Sequence, residues 1–227
     1  LSRKGNPKMV TQKKRAVSFE KDNKNASIFG TSNHSDERHY VKSGDTTPWT
    51  VEASFIFPRL NIFEANLIDS SLFGAHETET GLLKYASPND RFSFQVKSTK
   101  LNTNEDIARF TLSSPGSLFV DINTDYFPRV YDNAKWDFAV RFRKGTDSTF
   151  GSTLNTSRHF VDFIGNRYDL DVLRDSFHLS SSITEAQYNT LSSVNKGFYV
   201  GARRTDFSGS VLMTSDARNV HLNVWND

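Results

Sequence analysis

The sequence predicts an all-β protein, a sandwich or jelly roll, and three observations predict it. From Trp49 onward, side chains alternate apolar and polar with a period of two, the rhythm of strands that turn one face to a core. Short runs of this kind recur between turn residues along the chain, and helical spacing is confined to one segment. Nineteen phenylalanines among 227 residues supply rings wide enough to fill the ~10 Å between two facing sheets.

Taken in order, weak strand patterns come first, at 15–19, 26–30 and 38–42. The run from Trp49 to Phe57 is cleaner: Val51, Ala53, Phe55 and Phe57 share its apolar phase, and Pro58 ends it. A weak pattern follows at 81–85. Phe92, Phe94 and Val96 then point inward against Arg91, Ser93, Gln95 and Lys97 outward. Weaker runs at 107–112 and 117–122 precede Trp136, Phe138, Val140 and Phe142, which alternate with Lys135, Asp137 and Arg141. Another weak strand is expected at 159–164. A short helix is expected near 183–195, because Ser182-Ile183-Thr184-Glu185 has capping-box spacing. Tyr188, Leu191 and Val194 follow at three-residue intervals before Asn195-Lys196-Gly197. Weak strands at 198–202 and 208–213 lead to the last clean one, with Val220, Leu222 and Val224 inward against His221 and Asn223. The most polar loops are 102–106 and 146–157, either of which could carry an insertion without touching the core.

The charge is uneven. Lys and Arg number 28 against 26 Asp and Glu, but Arg3, Lys4, Lys8, Lys13, Lys14 and Arg15 fall in the first fifteen residues, where no acid occurs. That leaves 22 basic against 26 acidic residues in the rest. Residues 1–15 therefore read as a basic, extended arm and 16–227 as one sandwich domain, since the arm has too little apolar content to fold alone. The arm either touches a partner, nucleic acid or an acidic protein surface, or is a solvated terminus or linker. No aromatic residue is interleaved for base stacking, which argues against nucleic acid. If the arm folds back on its own domain, it is not a tether. The absence of cysteine excludes a disulfide scaffold, a Cys-ligated zinc site and a thiol nucleophile. No apolar run approaches the ~18 residues of a membrane span, so no membrane partner is expected. The chain opens on Leu1 and stops at Trp225-Asn226-Asp227 directly after a strand pattern, as expected of a piece of a longer protein.

Five segments in order resemble the laminin-G-like, concanavalin-A-like jelly rolls. Ala16-Val17-Ser18-Phe19 looks like their opening strand, and Trp49-Thr50-Val51-Glu52-Ala53 like the strand read "f-T-v-e-a-W". Ala134 to Val140 falls where they carry "W-h-h-v-a-v". Phe198-Tyr199-Val200-Gly201-Ala202 with Phe207-Ser208-Gly209-Ser210-Val211 looks like their paired late strands, and Ser215-Asp216 through Trp225 like the closing one. The stretch from Gly201 to Ser210 further resembles jelly-roll domains in virion structural proteins of tailed phages, marine ones in particular. That resemblance implies a structural, non-enzymatic module located in the virion, with other virion proteins as partners in an oligomeric assembly. Ser54 stands where the family has an aromatic, and Asp216-Ala217-Arg218 where an acidic pair is common. The second departure removes the ground for a loop calcium site.

Little catalytic chemistry is legible. The Glu-x-Asp-x-Glu strand that glycoside hydrolysis uses on this fold is absent. Asp121, Asn123, Asp125 and Asp132 mimic a calcium loop, but Tyr126 stands where glycine is needed and Pro128 follows. His34, His39, His76, His159, His178 and His221 show no metal-binding spacing, and no G-x-S-x-G elbow or phosphate loop occurs. A Ser/His/Asp triad is neither supported nor excluded. No metal, cofactor or catalytic residue is expected. A glycan site needs an aromatic beside amides or carboxylates at a rim. Trp225 with His221 and Asn223, and the loop Tyr131-Asp132-Asn133, are the candidates; the competing reading packs Trp225 against a neighbouring chain or segment. Two functions follow, a virion module for assembly and surface display or adhesion, and a carbohydrate-binding module that attaches to cell-surface glycans; a third, a glycosidase, requires two carboxylates facing each other across a groove.

Overall fold

The computed structural model describes residues 8–9, 17–18, 27–31, 49–59, 67–78, 93–114, 120–145, 158–193, 195–204 and 210–226. In chain order the elements are β1 (Lys8–Met9), β2 (Val17–Ser18), β3 (Ser27–Thr31), β4 (Trp49–Ile56), β5 (Asp69–Thr78), β6 (Ser93–Thr99), β7 (Arg109–Ser113) and β8 (Asp121–Asn123). Then come β9 (Lys135–Arg143), β10 (Arg158–Asp169), β11 (Val172–Thr184), α1 (Glu185–Ser193), β12 (Asn195–Gly201), β13 (Arg203–Arg204), β14 (Val211–Met213) and β15 (Arg218–Asn226). One sheet runs β1-β15-β4-β9-β10-β11, with β2 also on β15; the other runs β3-β12-β5-β6-β7-β8. All pairings within them are antiparallel. Calling them sheets A and B, the expected β-sandwich is what the chain forms.

Alternation places the core where expected. Val51, Ala53, Phe55 and Phe57 from β4 and its exit, and Trp136, Phe138, Val140 and Phe142 from β9, face Phe94, Val96, Phe110 and Leu112 of sheet B, all buried. Phe110 sits at the centre, with ring centroids 4.8 Å from both Trp136 and Phe138, edge to face. Phe92 and Arg91 lie outside the described residues, as do the expected strands at 38–42 and 81–85.

Four local expectations need correction. Ser93 and Gln95 are buried rather than exposed. The β13–β14 hairpin covers that face: Gln95 Nε2 lies 3.1 Å from Met213 Sδ, and Ser71 N donates to Thr214 O at 2.9 Å. Val220 is not core. The β4–β15 register skips it between Asn219 and His221, so this bulge puts Asn219, opposite Phe55, into the interior instead. The helix begins at Glu185, because Ser182 and Ile183 are still paired with Phe160 and His159. Its capping box is Thr184 with Gln187: Gln187 N donates to Thr184 Oγ1 at 3.2 Å, and Thr184 N to Gln187 Oε1 at 2.8 Å. Finally, β5 and β11 have no counterpart among the expected strands. β5 is rich in hydroxyl and small residues, which blurs its alternation; β11 alternates from Asp175 to Thr184, but only Phe177 and Ile183 of its inner phase are buried.

β10 and β11 form the longest hairpin, closed by Leu170 (φ 47°) and Asp171 (φ 62°), a two-residue loop of the left-handed kind. Gly165 on β10 leaves room for its cross-strand partner: a Cβ there would lie 2.2 Å from the Phe177 ring. The chain direction then carries β10 and the loop before β9 to the same end of the sandwich.

Candidate functional site

The two groups of candidate residues are not brought together. His221 and Asn223 lie on the outer face of sheet A, where His221 is opposite Ser54 and Asn223 opposite Glu52. Trp225 continues that strand opposite Thr50. Tyr131, Asp132 and Asn133 follow β8 at the other end of β4, beyond Phe57. From Thr50 to Arg59 is nine residues, ~30 Å of extended chain, so one small ligand cannot span both.

Around His221 three strands set Ser54, Asp137 and His221 side by side, yet they are not wired as a catalytic triad. Ser54 Oγ donates directly to Asp137 Oδ1, and His221 Nε2 is 3.4 Å from the same hydroxyl. In a triad the imidazole stands between serine and carboxylate and takes the serine proton. Here the serine stands between them and is fully buried, and Lys135 Nζ sits 3.0 Å from Asp137 Oδ2.

The rim at the other end is concave. A cavity of about 460 Å³ is lined by Arg59, Asn104, Glu105, Asp106, Arg129, Tyr131 and Asp132. Three segments build it: the exit of β4, the loop between β6 and β7, and the loop between β8 and β9. The polar loop 102–106 forms one wall of this cleft through Asn104, Glu105 and Asp106. Backbone bonds stitch the walls together. Val130 N and Tyr131 N both donate to Asp106 O, at 2.8 and 3.0 Å, and Ala108 N donates to Pro128 O at 3.1 Å. Asn133, with φ 65°, donates from its N to Phe57 O at 3.0 Å and accepts from Arg59 N on Oδ1 at 3.1 Å.

The side chains carry hydrogen-bonding groups of both signs. Arg129 Nε donates to Asp106 Oδ2 at 2.7 Å, and Arg167 Nη2 of β10 donates to Asp132 Oδ2. Asn102 Nδ2 donates to Glu105 Oε1 at 2.7 Å, while Glu105 Oε2 is buried without a hydrogen-bond partner. Tyr131 is the aromatic of the cleft, but it is a buried one. Its ring packs edge-on against Phe57 at 5.4 Å, Lys100 Nζ lies 4.4 Å from its centroid, and its hydroxyl donates to Asp216 Oδ1 at 3.1 Å. Burial first, and the Asp216 charge second, push the Tyr131 hydroxyl well above the usual phenol range, so it stays a donor. Lys100 Nζ also donates to Thr103 O at 3.5 Å, tying the β6–β7 wall to the floor.

Asp216, at the position where the jelly-roll resemblance has an acidic pair, is thus turned inward onto Tyr131. The calcium-loop mimic disperses: Asp121 and Asn123 bond each other on β8, and Asp132 is held by Arg167. Among the described residues no group of three or more His, Asp or Glu side chains could hold a metal ion. None of their helices is long and apolar enough to cross a membrane. Of the basic arm, Lys8–Met9 is described: it pairs with Asn223 and Val224 of β15, on its own domain. Arg3, Lys4, Lys13, Lys14 and Arg15 lie outside the described residues.

No family model matches the chain. No curated protein matches it either. Solved structures do. The winged bean acidic lectin complexed with methyl-α-D-galactose superposes with a TM-score of 0.55 at 9% identity, over 100% of this chain and 94% of that one. Arcelin-5, a lectin-like defence protein of Phaseolus vulgaris, gives 0.47 at 14% identity, over 98% and 90%. The CBM2 module of the evolved Dit protein of Lactobacillus casei BL23 phage J-1 gives 0.45 at 10%, over 88% and 70%. At 9% identity the likeness to the winged bean lectin is one of fold. The two facing antiparallel sheets and this likeness show that the chain has a concanavalin-A-like jelly-roll fold.

Proposed function

We propose that this chain is a non-enzymatic carbohydrate-binding jelly roll that takes glycan hydroxyls in the rim cleft. The observation that carries it is the cavity of about 460 Å³, whose walls present an amide, carboxylates and guanidinium groups on bonded loops. Sugar hydroxyls both donate and accept, so they need acceptors such as the Asp106 and Glu105 carboxylates and donors such as Arg59 and Asn104 within one small concavity. A jelly roll of the same fold, the winged bean lectin, is complexed with a galactoside, which supports this ligand class. A glycosidase needs a carboxyl free to deliver a proton. Asp106 and Asp132 are each bonded to a guanidinium, which supports binding rather than turnover at those two carboxylates.

The test is glycan-array screening followed by calorimetry on Glu105→Gln, Asn104→Ala and Trp225→Ala. Loss of binding in the first two with unchanged stability and retention in Trp225→Ala supports the cleft. Loss in Trp225→Ala alone moves the site to the end of β15. No binding to any glycan rejects the reading.

A second reading is a virion module for assembly and display, favoured by the outer edge of β11, on which no strand pairs among the described residues. The pairing of Lys8–Met9 with β15 counts against that dipeptide as a tether. Imaging the native assembly tests it: residues 1–15 ordered against another chain support it, and residues 1–15 lying wholly on their own domain reject the tether.

A further inference from the structure

We infer that the cleft end of the sandwich docks on a lipid surface, so that the glycan taken in the cleft is the head of a neutral glycolipid; this rests on the glycan reading of the same cleft. Among the described residues, large apolar side chains stand exposed at seven positions, and six of them gather at this end. Ile68 and Leu101 come from sheet B, where Lys100 N donates to Ile68 O at 2.9 Å as the chain leaves β6 for the 102–106 wall. Tyr126 stands on the β8–β9 loop, its hydroxyl donating to Asp175 Oδ1 at 3.1 Å. Leu170, Val172 and Leu173 form the tip of the β10–β11 hairpin, where Tyr168 lies opposite Lys135 at the start of β9. The seventh, Leu212, is on the β13–β14 hairpin.

Apolar side chains concentrated at one end mark a contact surface. Leu170 is 90% exposed at φ 47°, a conformation that suits glycine or asparagine, and Leu101 is 62% exposed. Both lie close to the cleft. Leu170 follows Arg167, which holds Asp132, by three residues, ~10 Å of extended chain, and Leu101 precedes Asn104 by three. A sugar seated in the cleft therefore has its aglycone among leucines, and a sugar whose aglycone is a hydrocarbon layer is a glycolipid. The six residues sit on four separate segments, so a fluid layer that conforms to each suits them better than a rigid protein surface that has to match all four. Charge selects the kind of lipid. Asp69 pairs with Lys97, Asp106 with Arg129 and Asp132 with Arg167, whereas exposed Asp169 and Asp171 flank Leu170 and outnumber Arg174 beyond Leu173. The tip thus repels an anionic layer and fits a neutral one. Tyr126, an apolar ring with a polar end, suits the boundary between lipid and water. The lack of a long apolar run excludes a membrane span, not contact with a lipid surface.

The test is flotation of the whole chain with phosphatidylcholine vesicles, plain or carrying galactosyl-, glucosyl- or lactosylceramide, beside calorimetry with the matching soluble methyl glycosides. The expected result is binding to glycolipid vesicles and not to plain ones. Leu170→Asn with Leu173→Asn should weaken it about tenfold, with affinity for the soluble glycoside and circular dichroism unchanged. Replacing part of the phosphatidylcholine by phosphatidylglycerol should weaken it too. Vesicle binding indifferent to the leucine pair overturns the proposal. So does a leucine effect seen on an immobilised glycoprotein and not on vesicles, which makes the partner a protein, or a dimer in sedimentation velocity that the leucine pair dissolves, which makes it a second copy. A chain that binds glycans on the array but no glycolipid vesicle overturns the lipid contact and leaves the glycan reading standing; a chain that binds neither overturns both.

Discussion

Phe110→Ala tests the physical basis of the sandwich. Phe110 belongs to sheet B, is fully buried, and meets four rings from the opposite side. These are Trp136 and Phe138 at 4.8 Å, Phe177 at 5.9 Å and Phe57 at 6.2 Å. Truncating a buried phenylalanine costs ~3–5 kcal/mol, part of it from the cavity left behind. Each favourable ring pair adds ~0.5–1.5 kcal/mol beyond buried area, so two close edge-to-face contacts put this site at the upper end, ~5 kcal/mol. That is comparable with the whole stability of a small domain, ~5–15 kcal/mol. Urea unfolding followed by tryptophan fluorescence and by far-ultraviolet circular dichroism measures it, and Phe110→Leu should lose much less. A loss below ~1.5 kcal/mol for Phe110→Ala would refute the claim that this ring closes the two sheets.

Other substitutions probe separate links. Gly165→Ala should cost ~1–3 kcal/mol in the same assay, because its Cβ would fall 2.2 Å from a Phe177 ring already held by Phe110 and Phe163. Tyr131→Phe removes a bond to buried Asp216 and should cost ~1–3 kcal/mol while loosening the cleft; unchanged stability would mean Asp216 is satisfied without it. His159 is held below its usual 6.5 by burial and by Lys144, with Glu185 opposing, and its Nδ1 accepts from Gly145 N at 3.2 Å. The unfolded chain therefore binds the proton more readily. The stability due to neutral His159 is complete above pH 6.5 and is lost as pH falls below it toward the lower folded value. In His159→Asn, whose side-chain oxygen can still accept from Gly145, that part of the acid dependence should vanish; an unaltered profile would reject the assignment.

The sequence by itself determined the architecture, because a period of two and a large stock of phenylalanine leave few ways to bury one face of so many short strands. It also marked Tyr131, Asp132 and Asn133, since an aromatic beside polar turn residues is visible in a single loop. Tertiary structure decided what those residues do. Tyr131 went inward because Lys100 and Asp216, 31 and 85 positions away in sequence, meet it only when the sheets close. The cleft needed the 102–106 loop and Arg59 as well, segments whose nearness follows from strand order and not from spacing. Strand β11 was harder to read because its inner phase, Phe177, Leu179, Ser181 and Ile183, includes a serine and its first three residues are all exposed, so its extent rests on the β10 backbone beside it.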